Sequence, residues 1–301
     1  MKELKIFGIV VAFTLVLYWG VEPFAHSQMH KHVEFENLEY KDLKPVTVKG
    51  DPAAGQAKAA MCAACHSIKA AGMNAPMDAM ASSAAYGVNP PDLSLAGKLL
   101  DEKFFVHFLL NPAAVTKSKH FAMPPSAASE QDAADIVAYL KSIAPKEVTP
   151  KEAYEFACGR CHANRYDKWT QLGDEPKTKP NIKTGQDIEK LKFQQNLAQY
   201  QNKLADYMGK LPPDLSIIYR ARSEHFLKTF IEDPQSQLPG TAMPRVGLDK
   251  EGLEKVLAYL EKTGDPSKPK REAVGPWVLL FFVGFAFLAY LWKKSIWRGH
   301  H

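Results

Sequence analysis

Cys62-Ala63-Ala64-Cys65-His66 and Cys158-Gly159-Arg160-Cys161-His162 contain all four cysteines of the 301-residue chain, and both read C-x-x-C-H. Two thiols three positions apart reach the two vinyl-derived carbons of one haem, and the residue after them presents an imidazole to the iron. That spacing is the signature of c-type haem attachment. A zinc site built from both pairs and a pair of structural disulfides would use the same cysteine count. The long stretch between the pairs, and the histidine trailing each, favour two haems.

Outward from the motifs the same features recur in the same order, which marks an internal repeat. Each copy opens on a helix-start signal, Asp51-Pro52 in the first and Thr149-Pro150-Lys151-Glu152 in the second. Both place a cap residue before a proline at the first helical position, and Glu152 adds a capping box. A Pro-Pro-Asp-Leu-Ser segment follows each motif, at 90–94 and 212–216, and then Met123-Pro124 or Met243-Pro244. Each copy closes on a segment with apolar residues at helical spacing: Ile136, Val137, Leu140 and Ile143, then Val256, Leu257 and Leu260. Tyr139 and Tyr259 each stand 16 residues after their methionine. The gap from histidine to Pro-Pro-Asp is twice as long in the second copy. The added length reads as an amphipathic helix near Gln186–Met208, with Leu197, Tyr200, Leu204, Tyr207 and Met208 on one stripe. Such a stripe serves core packing more often than partner docking.

Composition agrees with a folded protein of two ordinary domains: 46% hydrophobic, 24% charged, formal charge +5. No run of lysine and arginine forms a nucleic-acid arm. Ile6–Val21 is free of charge, and Val274–Trp292 is strongly apolar with Trp277, Tyr290 and Trp292 at interface depths. The first reads as a retained anchor, with a cleaved signal peptide ending near Ala25-His26-Ser27 as the alternative. Lys293, Lys294 and Arg298 place the C-terminal tail in the cytoplasm by the positive-inside rule, although Lys268, Lys270 and Arg271 weaken that signal. His26, His30 and His32 read as solvated residues beside the membrane rather than as metal ligands.

The order of helix, C-x-x-C-H, loop, Met-Pro and final helix resembles the class I cytochrome c fold in both halves. Leu211-Pro212-Pro213-Asp214-Leu215-Ser216-Ile217-Ile218-Tyr219-Arg220-Ala221-Arg222 closely resembles the Pro-Pro-Asp-Leu-Ser…Arg-Ala-Arg segment of cytochrome c1 in bc1 complexes. The whole chain resembles the di-haem cytochrome c1-type subunit of certain bacterial bc1 complexes. It departs from the mitochondrial type, which has one haem and one membrane helix. The resemblance implies an all-α protein: N-terminal membrane anchor 1–24, linker 25–43, cytochrome c domains 44–144 and 145–264, linker 265–273, transmembrane helix 274–292 and cytoplasmic tail 293–301.

It also implies two covalently bound haem c, held by Cys62 and Cys65 with His66, and by Cys158 and Cys161 with His162. Met243 stands where the family places its sixth ligand, with Met208 and His225 as rivals. Met123 matches its register in the first copy, with Met73, Met77, Met80 and His120 as rivals. A methionine here is otherwise adaptable core filling. Prolines of the Pro-Pro-Asp segments are candidates to hold the histidines by a carbonyl. Arg222 matches the arginine that cytochrome c1 sets near a haem propionate; Arg220 is a candidate to share that role, and Lys98 occupies its place in the first copy. The implied partners are cytochrome b, a Rieske iron–sulfur protein, and a soluble cytochrome c or terminal oxidase, with the haem domains in the periplasm. The alternatives are the di-haem subunit of a cbb3-type oxidase and, from another class, a di-haem peroxidase with an open iron site.

Overall fold

The computed structural model describes residues 2–30, 40–118, 121–180 and 187–299; His32, His120 and Gln186 lie outside them. The protein is all-α, 65% helical. Among the described residues the only strands are the antiparallel pair Trp169–Thr170 and Gly173–Asp174.

The chain forms two compact units. One comprises Met1–Asp78, Pro90–Val148 and Glu224–Glu254; the other comprises Ala79–Asn89, Thr149–Ser223 and Lys255–His301. Relative to a single cut between residues 144 and 145, the segments 79–89, 145–148 and 224–254 change sides, and specific contacts hold the two longer ones where they are. In the first unit Leu248 bridges Leu100 through the main chain, and the buried Tyr40 hydroxyl donates to the Leu248 carbonyl at 2.8 Å. Arg245, 3% exposed, donates to both carboxylate oxygens of Asp42 at 2.6 and 3.0 Å and lies 5.0 Å over the Tyr40 ring. In the second unit Gly87 takes φ +82°, and a Cβ there would stand 2.5 Å from Cβ of Tyr207.

The first unit is built on a crossing of two helices, Pro52–Ala59 and Glu130–Ile143. Asp51 caps the first by accepting from the Ala53 amide at 2.9 Å, and Ser129 caps the second. Ile136, Val137 and Leu140 are each 1% exposed, and Ala59 is fully buried. The crossing is close because Gly55 has no side chain: a Cβ there would stand 1.9 Å from the Asp135 carbonyl oxygen. Asp135, 3% exposed, accepts from the Asp51 amide and Gln131 Nε2 at 2.8 Å and from Lys58 Nζ at 2.6 Å. The Lys58 ammonium, followed by these amide donors, holds its carboxyl at a pKa of about 2. The buried carboxylate is thus compensated on every side, as burial of a charge requires.

In the second unit Thr149 accepts from the Glu152 amide at 3.2 Å while Glu152 accepts from the Thr149 amide at 2.7 Å. This reciprocal cap starts the helix Pro150–Tyr154, which widens into a π-turn over Glu155–Gly159. Tyr154 stacks on Tyr259, centroids 4.4 Å apart. Tyr259 belongs to the closing helix Lys250–Gly264, whose Val256, Leu257 and Leu260 are buried. The inserted helix runs Ile188–Met208, capped by Asp187 and ended by Gly209 at φ +77°. Tyr200 and Leu204 of its stripe are fully buried, while Leu197, Tyr207 and Met208 are half-buried.

Two helices, Leu4–Ala25 and Lys268–Ile296, are long and apolar enough to cross a membrane, with mean hydropathy 2.1 and none of either apolar stretch buried. They enclose the expected segments Ile6–Val21 and Val274–Trp292. The 29-residue helix rises about 1.5 Å per residue, more than a hydrocarbon core of about 30 Å needs. Asp265 fixes the turn into it by accepting from Arg271 Nη1 and Nη2, each at 2.6 Å.

Candidate haem sites

Each C-x-x-C-H closes a tight turn at the end of its first helix. The amide of His66 donates to the Cys62 carbonyl at 2.8 Å and that of Cys65 at 3.1 Å; His162 and Cys161 repeat this on Cys158 at 2.8 and 3.0 Å. The turn brings the histidine round to follow its two thiols, and none of the four is in a disulfide.

The same scaffold holds both imidazoles. His66 Nδ1 lies 2.8 Å from the Pro91 carbonyl oxygen, and His162 Nδ1 lies 2.8 Å from that of Pro213. A carbonyl only accepts, so Nδ1 carries the proton in each ring, and Nε2 is left with its lone pair for a metal. The Pro-Pro-Asp-Leu-Ser loops are fixed in turn. Leu93 donates its amide to the Ser67 carbonyl at 2.8 Å, and Leu215 to Ala163 at 2.9 Å. Asp92 accepts from the Ser94 amide at 2.9 Å, and Asp214 from those of Ser216 and Arg165 at 3.0 Å. Proline at both positions before the aspartate leaves those residues without amide donors of their own, so their carbonyls are the groups on offer.

Electrostatics suit a neutral ligand set. Burial lowers the pKa of His162, against the opposing pull of the Pro213 carbonyl that accepts from its Nδ1 and of the nearby Asp214 carboxylate. Burial pushes the Cys158 thiol up to about 12 and raises Cys62 and Cys161. Among the described residues no group of three or more His, Cys, Asp and Glu converges as a zinc site requires. Haem c fits the residues present. Each site offers two thiols outside any disulfide and one imidazole, and the second adds a buried guanidinium nitrogen, Arg160 Nη1, without a hydrogen-bond partner. An anionic group at that site would satisfy it.

The sixth-ligand candidates divide unevenly. Met123 belongs to the unit of His66, as do Met73 and Met77, whereas Met80 lies in the segment Ala79–Asn89. Met243 and His225 lie in Glu224–Glu254, which packs into the first unit; Met208 lies in the unit of His162. Met123 and Met243 are both half-buried. The Met243 loop is tightly held: its carbonyl accepts from Gln235 Nε2 at 2.6 Å and its amide donates to Thr241 Oγ1 at 3.3 Å. Arg220 and Arg222 are exposed, at the end of the short helix Ile218–Ala221 and just after it. Lys98 pairs with Glu251 at 2.7 Å.

Three functional neighbours escaped the sequence reading. Tyr154 donates to the His162 carbonyl at 3.1 Å. Tyr200 donates to the Arg160 carbonyl at 3.0 Å. Arg245, two residues beyond Met243, anchors that loop to Asp42. A signal for part of this was present: Asp101-Glu102-Lys103-Phe104 through Asn111-Pro112 parallels Ser223-Glu224-His225-Phe226 through Asp233-Pro234. Both stretches fold as a nine-residue helix followed by a short helix begun by the proline.

Comparison with known proteins follows the same lines. The chain is 27% identical over 203 residues to the ammonia monooxygenase gamma subunit of Nitrosomonas europaea, covering 52% of this chain and 86% of that protein. It is 26% identical over 203 residues to cytochrome c1 of Allochromatium vinosum, covering 48% of this chain and 80% of that one. A chain of a solved structure titled "Hyperthermophilic respiratory Complex III" is similar at 26% identity and a TM-score of 0.37, over 50% of this chain and 74% of its own. Residues 52–144 match the family model for cytochrome c. That stretch, with Cys62, Cys65 and His66 at its head, is a cytochrome c domain, which holds haem c covalently and serves electron transfer.

Proposed function

We propose that the chain is a di-haem, membrane-anchored c-type cytochrome and the cytochrome c1-type subunit of a quinol:cytochrome c oxidoreductase. The observation that carries the second haem is the repeated histidine support. His162 is held by Pro213 at the same 2.8 Å, after the same cysteine turn, as His66 is by Pro91. The c1 role rests on the similarity to cytochrome c1 together with the Pro-Pro-Asp-Leu-Ser…Arg-Ala-Arg segment.

Haem, when bound, supplies an iron that accepts and releases one electron. The chain fixes where that happens. Cys62 and Cys65, and Cys158 and Cys161, tie each macrocycle covalently. His66 and His162 would each offer the iron an imidazole nitrogen, and Met123 and Met243 would each offer a thioether sulfur. Methionine opposite histidine raises the potential relative to two nitrogens, which suits the high-potential end of a respiratory chain. Arg222 and Arg220 are assigned to propionate pairing. On this reading the chain relays electrons from a Rieske protein beside cytochrome b to a cytochrome c or terminal oxidase. The apolar helices Leu4–Ala25 and Lys268–Ile296 tether both ends in a bacterial inner membrane, termini inside and haems in the periplasm.

The similarity to the ammonia monooxygenase gamma subunit favours a second reading, the same relay serving a monooxygenase. Mild detergent extraction separates the two. Co-purification of a cytochrome b and a Rieske protein is expected; monooxygenase subunits without cytochrome b would move the chain to the second reading.

A further inference from the structure

Tyr200 sits on the inserted helix, has no exposed surface, and makes two hydrogen bonds through one oxygen. Its hydroxyl donates to the carbonyl of Arg160, inside the second C-x-x-C-H, at 3.0 Å. It accepts from the amide of Asn89 at 3.1 Å. From Asn89 the chain runs through Pro90 to Pro91, whose carbonyl takes the His66 Nδ1 proton. One phenol therefore holds the peptide that carries Cys161 and His162, and also the start of the loop that supports His66.

We propose that Tyr200 is a positioning residue for both haem histidines, so that the inserted helix sets the two haem potentials together. The inference rests on the di-haem reading. Its physical basis is the response of a metal-bound imidazole to the group that holds its other nitrogen. A shift of the Pro91 carbonyl changes the His66 Nδ1 bond, and a change at the Arg160 carbonyl acts on the turn that ends in His162. The oxygen is a dependable donor, because burial pushes the Tyr200 phenol up to about 12. The donor and acceptor it serves are main-chain groups, and a buried main-chain group left unpaired must move or find another partner. Gln201 beside it donates through Nε2 to Gln171 Oε1 at 3.0 Å, and Gln171 Nε2 donates to the Cys161 carbonyl at 3.3 Å. The same helix face thus reaches the motif twice. The absent side chain of Gly87 lets Tyr207 of the helix come close beside the segment that ends in Asn89.

The test is a spectropotentiometric titration of the full-length protein in detergent, compared across three phenol and packing variants. Tyr200→Phe keeps the ring and removes the oxygen, and both redox waves are expected to shift. Tyr154→Phe, which loses only the bond to the His162 carbonyl, is expected to shift one wave. Leu204→Ala loosens the helix without touching a polar group and is expected to lower the unfolding midpoint while leaving both potentials in place. Should Tyr200→Phe fail to accumulate, 3,5-difluorotyrosine incorporated at position 200 retains the fold and alters the donor strength, and both waves should again move. The proposal is overturned if Tyr200→Phe or the fluorinated residue leaves either wave unmoved, or if Leu204→Ala shifts both waves equally. Two haems by covalent count with an immobile first wave would sink this proposal alone. A covalent count of one haem per chain in the wild-type protein would sink the di-haem reading beneath it.

Discussion

Gly55→Ala is expected to destabilise the first unit by about 3 kcal/mol or more, read as a fall in the denaturation midpoint of the holoprotein followed by its haem absorption. Helix propensity predicts the opposite sign, a gain of about 0.5–1 kcal/mol for alanine over glycine in a helix interior. The contact decides which effect wins. The new Cβ would stand 1.9 Å from the Asp135 carbonyl oxygen and 2.9 Å from Cβ of Tyr139. The obstacle is backbone, which has no rotamer to turn aside, so the two helices must separate. Separation also pulls Asp135 from Lys58 and from the Asp51 amide, leaving a buried carboxylate short of partners. Gln56→Ala, one residue along on the exposed face, is the control and should change the midpoint little. A Gly55→Ala midpoint at or above the wild-type value would show that the helices do not cross this closely.

Met243→His is expected to lower the potential of one haem and leave the other in place, by a substantial part of the about 0.8 V over which axial ligands tune haem. The direction follows from exchanging a thioether for a second nitrogen. This experiment bears on the most open assignment in the molecule, since the loop of Met243 is held by Arg245 and Gln235 within the first unit while Met208 shares a unit with His162. Met208→His is therefore the companion variant. If it lowers the potential of one haem and Met243→His lowers neither, the second thioether is Met208. Both outcomes are read in the same titration, against the wild-type pair of waves.

Much of this architecture was readable in the residues because it depends on local rules. The caps at Asp51 and Thr149 are short-range hydrogen bonds with fixed offsets, and the closing helices announce themselves through Ile136, Val137, Leu140 and their counterparts. The support of His66 by Pro91 and of His162 by Pro213 was an expectation that the resemblance to the cytochrome family supplied. Other features depend on contacts remote in sequence. Arg245 reaches back to Asp42, and Tyr40 to Leu248, across some 200 residues that no periodicity encodes. The exchange of Glu224–Glu254 between units has the same origin. Tyr200 looked like one member of an apolar stripe, and its hydroxyl became informative only when Arg160 and Asn89 were seen on either side. The burial of Asp135 was hidden too, since an aspartate between Ala134 and Ile136 reads as a polar interruption of the helix face rather than as its anchor.

The claim on which the rest stands is that each C-x-x-C-H holds its own haem. A pyridine haemochrome assay on the purified, denatured chain counts covalently attached haem directly, and Cys158→Ala/Cys161→Ala removes the attachment points of the second site. The account predicts two haems per chain in the wild type and one in the double variant. One haem in the wild type, unchanged in the variant, would leave the cytochrome c domain at residues 52–144 in place and contradict the second site outright.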